Sequence, residues 1–171
     1  MSVPFKAAQP PAPVASAAFR QAMSEVTAAV HVITTVANGA WSGLTASAVT
    51  ALSDAPPMML ACIREDSRTL AQIRLGGVFC INTLSGADQD AAEIFAGRRG
   101  LEGAARFEMG AWERLVTGAP SRGGALCAFD CRLVDIRQMA THAIVIGEVV
   151  ALGGRQAGKG LIYRNRRFGA F

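Results

Sequence analysis

The chain has 171 residues, 51% of them hydrophobic and 18% charged, with a formal net charge of +4. That length and apolar share fit a single domain with a full core and exclude a disordered chain. The positive balance is mild, with no run of basic residues interleaved with aromatics, so nucleic acid is excluded as a partner. No stretch approaches the roughly 20 apolar residues of a membrane span. More apolar residues are present than a monomer of this size needs to bury, which points to a homodimer with an apolar interface.

Residues 1–15 are rich in Pro and Ala and read as a flexible arm, with one Lys and no signal-peptide pattern. Ser16 then suits an N-cap, and 17–29 an amphipathic helix. Its stripe of Phe19, Met23 and Val26 should pack on a sheet. From Val30 the run V-H-V-I-T-T-V-A is β-branched and reads as a strand, closed by the hairpin dipeptide Asn38-Gly39. His31, near the start of that strand, reads as a surface or interface residue.

Residues 41–57 (W-S-G-L-T-A-S-A-V-T-A-L-S-D-A-P-P) hold one ionisable side chain, Asp54, and the hydroxyls Thr45, Ser47, Thr50 and Ser53 among Gly and Ala. Two readings stand. Small residues let a ligand approach the backbone, and neutral N–H and O–H donors suit phosphate oxygens. The same pattern also describes a half-buried strand with its hydroxyls in water. The double proline ends the stretch and feeds residues 58–63, an apolar run that reads as a strand buried on both faces.

Ser67 suits the cap of a short helix over 68–75, ended by Gly76-Gly77. With Thr69 beside it, that N-terminus is either a second anion site or only a capped connector. A strand (78–84) and a helix (86–96, ended by Gly97) follow. The loop 97–111 carries Arg98, Arg99 and Arg106 with four glycines, and is either solvated or a lid over an acidic ligand. A short strand (111–116) and a turn (120–124) lead to two long alternating strands, 125–138 and 141–152, which pair as a hairpin. A glycine-rich loop and the segments 161–165 and 166–171 complete the chain.

Cys62, Cys80, Cys127 and Cys131 form no C-x-x-C. Cys127 and Cys131 on one strand would stand about 13–14 Å apart, too far for a disulfide or a shared metal. Buried free thiols in a reducing cytoplasm and no metal site are expected. Six or seven strands joined mostly by tight turns, with three short helices, favour an antiparallel barrel over alternating βαβ units. Dinucleotide, P-loop, zinc-protease and nucleophile-elbow motifs are absent.

In order along the chain, F-R-Q-A-M (19–23), V-H-V-I-T-T (30–35), G-L-T-A-S-A-V-T-A-L-S-D-A-P-P (43–57), C-I-N-T-L (80–84), F-A-G (95–97), R-F (106–107), F-D-C (129–131), T-H (141–142) and G-L-I-Y-R-N-R-R-F (160–168) resemble the flavin reductase family. The resemblance covers 16–171 and is greatest to reductase components of two-component monooxygenases. It implies an FMN-binding split β-barrel, an antiparallel Greek-key barrel that is mainly β with short helices, in a homodimer with flavin at the interface. Thr45, Ser47 and Ser53, with the main chain of Ala46, Ala48 and Val49, would take the flavin phosphate and ribityl chain. Ser67 and Thr69 match a second hydroxyl pair, Ile63 and Arg64 would border the isoalloxazine, and Arg106 and Phe107 match a basic–aromatic pair near the flavin. His142 matches a histidine beside the nicotinamide, although M-A-T-H lacks the G-D that often precedes it. Tyr163, Arg164, Arg167 and Phe168 match the segment over the nicotinamide side.

The implied activity is hydride transfer from NADH or NADPH to FMN or FAD, with reduced flavin passing to a partner monooxygenase. Such chemistry rests on the cofactor, so no nucleophile or carboxylate pair is needed. A flavin-dependent corrinoid reductase, and a non-catalytic flavin- or haem-binding split-barrel protein, are the alternatives.

Overall fold

The computed structural model describes residues 12–154 and 157–171, so most of the expected N-terminal arm lies outside the described residues. The first helix, α1, spans Ser16–Ser24. Ala15 holds its cap position and no side chain caps it, in contrast to the expected Ser16 cap. The helix also ends earlier than its stripe suggested. Ala28–Ala29 forms strand β1 instead, paired with the later segment at Ile162 and Tyr163. The apolar stripe survives, but among the described residues it is not buried: Phe19, Met23 and Val26 are 57%, 48% and 52% exposed.

Strand β2, His31–Ala37, turns through Asn38 (φ 49°) and Gly39 (φ 77°) into β3, Ala40–Ala46. Two successive left-handed residues are what a tight hairpin with the native strand twist requires. The stretch expected as one strand breaks at Ser47-Ala48 and resumes as β4, Val49–Asp54. Next come β5, Pro57–Arg64, and helix α2, Arg68–Gly76, which Ser67 caps by accepting from the Leu70 amide. Gly77 ends α2 in the left-handed region (φ 67°) and β6, Val78–Thr83, follows. A 3-10 turn (Gly86–Asp88) leads into α3, Gln89–Phe95, and the basic loop holds a second such turn, Gly103–Phe107. Strands β7 (Trp112–Arg114) and β8 (Pro120–Arg122) pair with each other, so the expected turn at 120–124 begins as a strand. Long strands β9 (Cys127–Met139) and β10 (His142–Gly154) form the expected hairpin, and β11 (Leu161–Arg164) and β12 (Arg167–Ala170) end the fold.

Seven strands make one antiparallel sheet in the order β3-β2-β6-β9-β10-β5-β4. Among the described residues no ladder joins its edges, β3 and β4, so the barrel expected from the sequence is not closed by hydrogen bonds. The sheet nonetheless wraps one core. Ile33 of β2, Leu44 of β3, Val49 of β4, Ile63 of β5, Phe79 of β6, Cys131 of β9 and Val145 of β10 pack in a single cluster, joined by Leu70 and Ile73 of α2. A second cluster lies on the other face of β2, where Val32 meets α3, Phe107 and Leu161.

Burial corrects three expectations. Strand β5 alternates: Met59, Ala61 and Ile63 are buried, and their neighbours on the other face are only half-buried. All four cysteines are free, but Cys62 and Cys127 are half-buried. Burial pushes the Cys131 thiol up to about 12. His31 is not at the surface: it is 8% exposed, its Nδ1 lies 3.1 Å from Thr83 Oγ1, and burial pushes its pKa from 6.5 down to about 4. Among the described residues no helix is long and apolar enough to cross a membrane.

The folded chain thus keeps His31 neutral where the unfolded chain protonates it. Its contribution to stability is complete above pH 6.5, falls as pH drops to about 4, and is gone below that. At roughly 1.4 kcal/mol per pH unit the loss approaches ~3 kcal/mol. In urea titrations across this range, His31→Gln should flatten the acid slope relative to wild type. Parallel curves would mean that the folded state accepts the proton.

Candidate functional site

The break between β3 and β4 opens a cleft of about 400 Å³, lined by Leu44 to Ala48, Cys62 to Arg64, Asp66, Ser67, Phe95, Ala96 and His142. A second hollow of about 190 Å³ adjoins it and shares Thr45, Ala46, Ser47 and Ala96, adding Val30, Arg98, Tyr163 and Phe168. Residues far apart in sequence converge here for local reasons. Gly43 lets α3 settle on β3, since a Cβ there would stand 2.8 Å from the Phe95 ring. That contact brings Phe95 and Ala96 to the cleft. The register of β5 and β10 sets His142 opposite Arg64 at the mouth. Pairing of β11 with β1 and β12 carries Tyr163 and Phe168 to the adjoining hollow, their ring centroids 5.0 Å apart.

The hydroxyls differ in what they have left to offer. Thr45 Oγ1 donates to the buried Ala92 carbonyl of α3 at 2.6 Å. Its proton is spent inside the protein. Ser67 Oγ accepts the Leu70 amide at 3.5 Å, which leaves its proton free. Ser47 Oγ is exposed and has no hydrogen-bond partner among the described residues.

Charge at the cleft is mostly internal. Arg64 grips Asp66 with Nε–Oδ1 at 2.9 Å and Nη2–Oδ2 at 2.5 Å. The hydrogen bond from Arg64 holds the Asp66 carboxyl below its ordinary pKa. His142 is exposed, with Nδ1 2.9 Å from Thr141 Oγ1. Arg98 lies over two aromatic rings, its Cζ 5.8 Å from the Tyr163 centroid and 5.5 Å from that of Phe168, and donates to Tyr163 Oη at 3.2 Å.

Of the residues singled out from sequence, Thr45, Ala46, Ser47, Ala48, Ile63, Arg64, Ser67, His142, Tyr163 and Phe168 line the joined hollows. Others stand elsewhere. Val49 packs into the main core. Ser53 takes the Ala55 amide in the turn after β4 and borders a separate apolar hollow. Thr69 is buried against Ser42, at 2.9 Å between hydroxyls. Phe107 lies behind the cleft in an aromatic cluster with Phe95, Trp41 and Trp112, and Arg106 faces another hollow beside Asp88 and Asp90. Arg164 pairs with Glu25, and Arg167 is exposed. Phe95, Ala96 and Asp66 were not singled out as site residues. Arg98 enters the sequence reading with Arg99 and Arg106, in a loop that is either solvated or a lid over an acidic ligand. The F-A-G signal at 95–97 was visible, but only the contact of α3 with β3 shows what it serves.

The family model described as a flavin reductase like domain matches residues 23–171. The chain is similar to a protein of Methylorubrum extorquens (strain PA1) named FMN reductase (NADH) RutF 2, at 42% identity over 92% of this chain and 91% of the other. It also resembles BorF, the flavin reductase component of a bacterial two-component tryptophan halogenase, with a TM-score of 0.84 at 26% identity, covering 91% of this chain and 98% of that one. A third likeness is to the NADH:FAD oxidoreductase SgcE6 of Streptomyces globisporus C-1027 in complex with NAD and FAD fragments: TM-score 0.81, 25% identity, 90% of each chain.

The Thr45 bond has a measurable consequence for the site's frame. Thr45→Val keeps the shape and removes the donor to Ala92, and should lower the urea unfolding free energy by about 1 kcal/mol. An unchanged midpoint would show that this hydroxyl does not anchor α3.

Proposed function

The chain belongs to the flavin reductase like domain family, and from that premise we propose that its joined hollows are where a hydride passes from NADH to FMN. The chain is an NADH-dependent flavin reductase. The observation that carries the siting is the convergence of the small-residue turn Thr45–Ser47, the capped start of α2, His142 and the Tyr163–Phe168 pair around two adjoining hollows that share Thr45, Ala46, Ser47 and Ala96. The size of the cleft suits a cofactor ring system. Neutral donors on its floor suit phosphate and ribityl oxygens.

A flavin, when bound, accepts the hydride and supplies the redox chemistry. The protein's task is binding and orientation. Ser47 and Ser67 have protons free for phosphate or ribityl oxygens, as does the main-chain amide of Ala48, whereas Ala46 is paired with His31 in the β2–β3 ladder. Thr45 contributes differently, by fixing α3. Ile63, Cys62 and Phe95 form an apolar wall, with Val49 and Phe107 packed behind it. Arg64, held by Asp66, borders the mouth. His142 stands where it can hydrogen-bond a carboxamide or the flavin edge, and Tyr163 and Phe168 cover the nicotinamide side.

We assign the curled sheet to the split-barrel architecture and the active form to a homodimer, in the reducing cytoplasm that four free thiols favour. The support for a dimer is α1 and the residues just after it, where Phe19, Met23 and Val26 are exposed in the single chain. The partner is a flavin-dependent monooxygenase or related oxygenating component that takes up reduced flavin. The likeness to the reductase component of a two-component halogenase supports that class of partner.

Anaerobic mixing of the flavin-loaded protein with NADH should bleach the flavin absorbance within seconds; persistent colour would refute the activity. Ser47→Ala should weaken FMN binding about tenfold, the worth of one hydrogen bond to a charged group. Unchanged affinity would remove Ser47 from the phosphate site. His142→Ala should slow flavin reduction more than it weakens flavin binding, as read by stopped-flow against equilibrium titration. The reverse ordering would make His142 structural.

A further inference from the structure

Among the described residues, two arginines, Arg64 and Arg98, line the joined hollows. Arg64 is neutralised by a two-pronged bond to Asp66. The neighbouring Arg99 is likewise occupied, by Asp90 at 2.6 Å and Glu93 at 2.8 Å. Arg106 faces a different hollow and donates from Nε to the Leu101 carbonyl. Arg98 has no carboxylate partner among the described residues. Tyr163 Oη takes one of its five N–H donors, and two aromatic rings hold the plane of the guanidinium. Its place follows α3 directly, with its own amide closing on the Glu93 carbonyl at 2.9 Å. A cation held in place, uncompensated and rich in unused donors, beside Ser47 at the rim of a hollow, is built to receive an anion.

We infer that Arg98 is the cationic phosphate-binding residue of this site, beside the neutral donor Ser47. This rests on the reading of the hollows as the flavin and nicotinamide site. The phosphate belongs either to the flavin or to the reductant, and Arg98 recognises it by a charge-assisted, forked hydrogen bond that Lys reproduces only in part. Tyr163 and Phe168 orient the guanidinium and leave its remaining donors free.

Two ligand pairs, each differing by a single phosphate, test this in the full-length protein. FMN is compared with riboflavin by fluorescence titration. Reduced nicotinamide mononucleotide is compared with dihydronicotinamide riboside by kcat/KM. In R98Q the preference for the phosphorylated member should fall about ten- to hundredfold for one pair, and R98K should restore part of it. Collapse of the flavin ratio assigns the flavin phosphate; collapse of the nicotinamide ratio assigns the reductant's. A merely structural Arg98 would weaken both members of each pair equally, and unmoved ratios in a variant that still binds flavin and turns over overturn the inference alone. A wild-type protein that neither binds flavin nor oxidises NADH overturns the functional reading, and this inference with it.

Discussion

The arrangement depends on two residues that leave the ladder. Strands β3 and β4 are consecutive in sequence, yet they form opposite edges of the seven-stranded sheet. Ser47 and Ala48 must carry the chain from one edge to the other. A sheet that wraps a common core brings its edges close, but the turn keeps them from pairing along their length. Ala48 makes one bridging bond, accepting the Cys62 amide at 2.9 Å. Edge strands with unpaired backbone groups invite unwanted pairing. Here that backbone borders a cleft, so the feature that would be a liability on a flat sheet leaves polar groups available to a ligand.

What could be read from the residues alone was the local chemistry. Asn38-Gly39, the Ser67 cap and the Gly77 stop depend on neighbours in sequence, and each stands as expected. Boundaries that tertiary pairing decides were harder. Residues 25–29 carry a helical stripe, but Ala28–Ala29 gains more from pairing with β11. The turn expected at 120–124 became β8 because β7 lies beside it. Strand β5 reads as apolar throughout, and only the sheet's curl shows that one of its faces looks into the core and the other toward half-open space.

The site divides in the same way. Ser47, Ser67 and His142 were legible through motif and cap chemistry. Thr45 was legible as a hydroxyl but not as one already spent on Ala92. Among the loop arginines the resemblance favours Arg106, yet the fold sets Arg106 in another hollow, pairs Arg99 with two carboxylates and leaves Arg98 at the joined hollows. Three arginines in one loop have three different electrostatic fates, and no spacing rule predicts which of them lacks a counter-charge.

Helix α3 is held at both ends, which explains how so short an element can help shape the cleft. At its start, Arg122 reaches Asp88 through Nε at 3.0 Å and Nη2 at 2.7 Å, and Ser85 Oγ adds a bond at 3.1 Å. Those side chains are only 12% and 11% exposed, so the pair is kept largely out of water. The Arg122 amide is fixed in turn by the buried Asn82, which also donates to the Val32 carbonyl. A buried ion pair contributes little net stability, but removing one partner is costly, so it enforces one geometry. Toward the other end, Thr45 holds Ala92, and Phe95 lies against Gly43. With its start tied to β6 and β8 and its end to β3, α3 has no register left to slip. Arg98, three residues past its last turn, inherits that constraint and stands in one place beside Ser47.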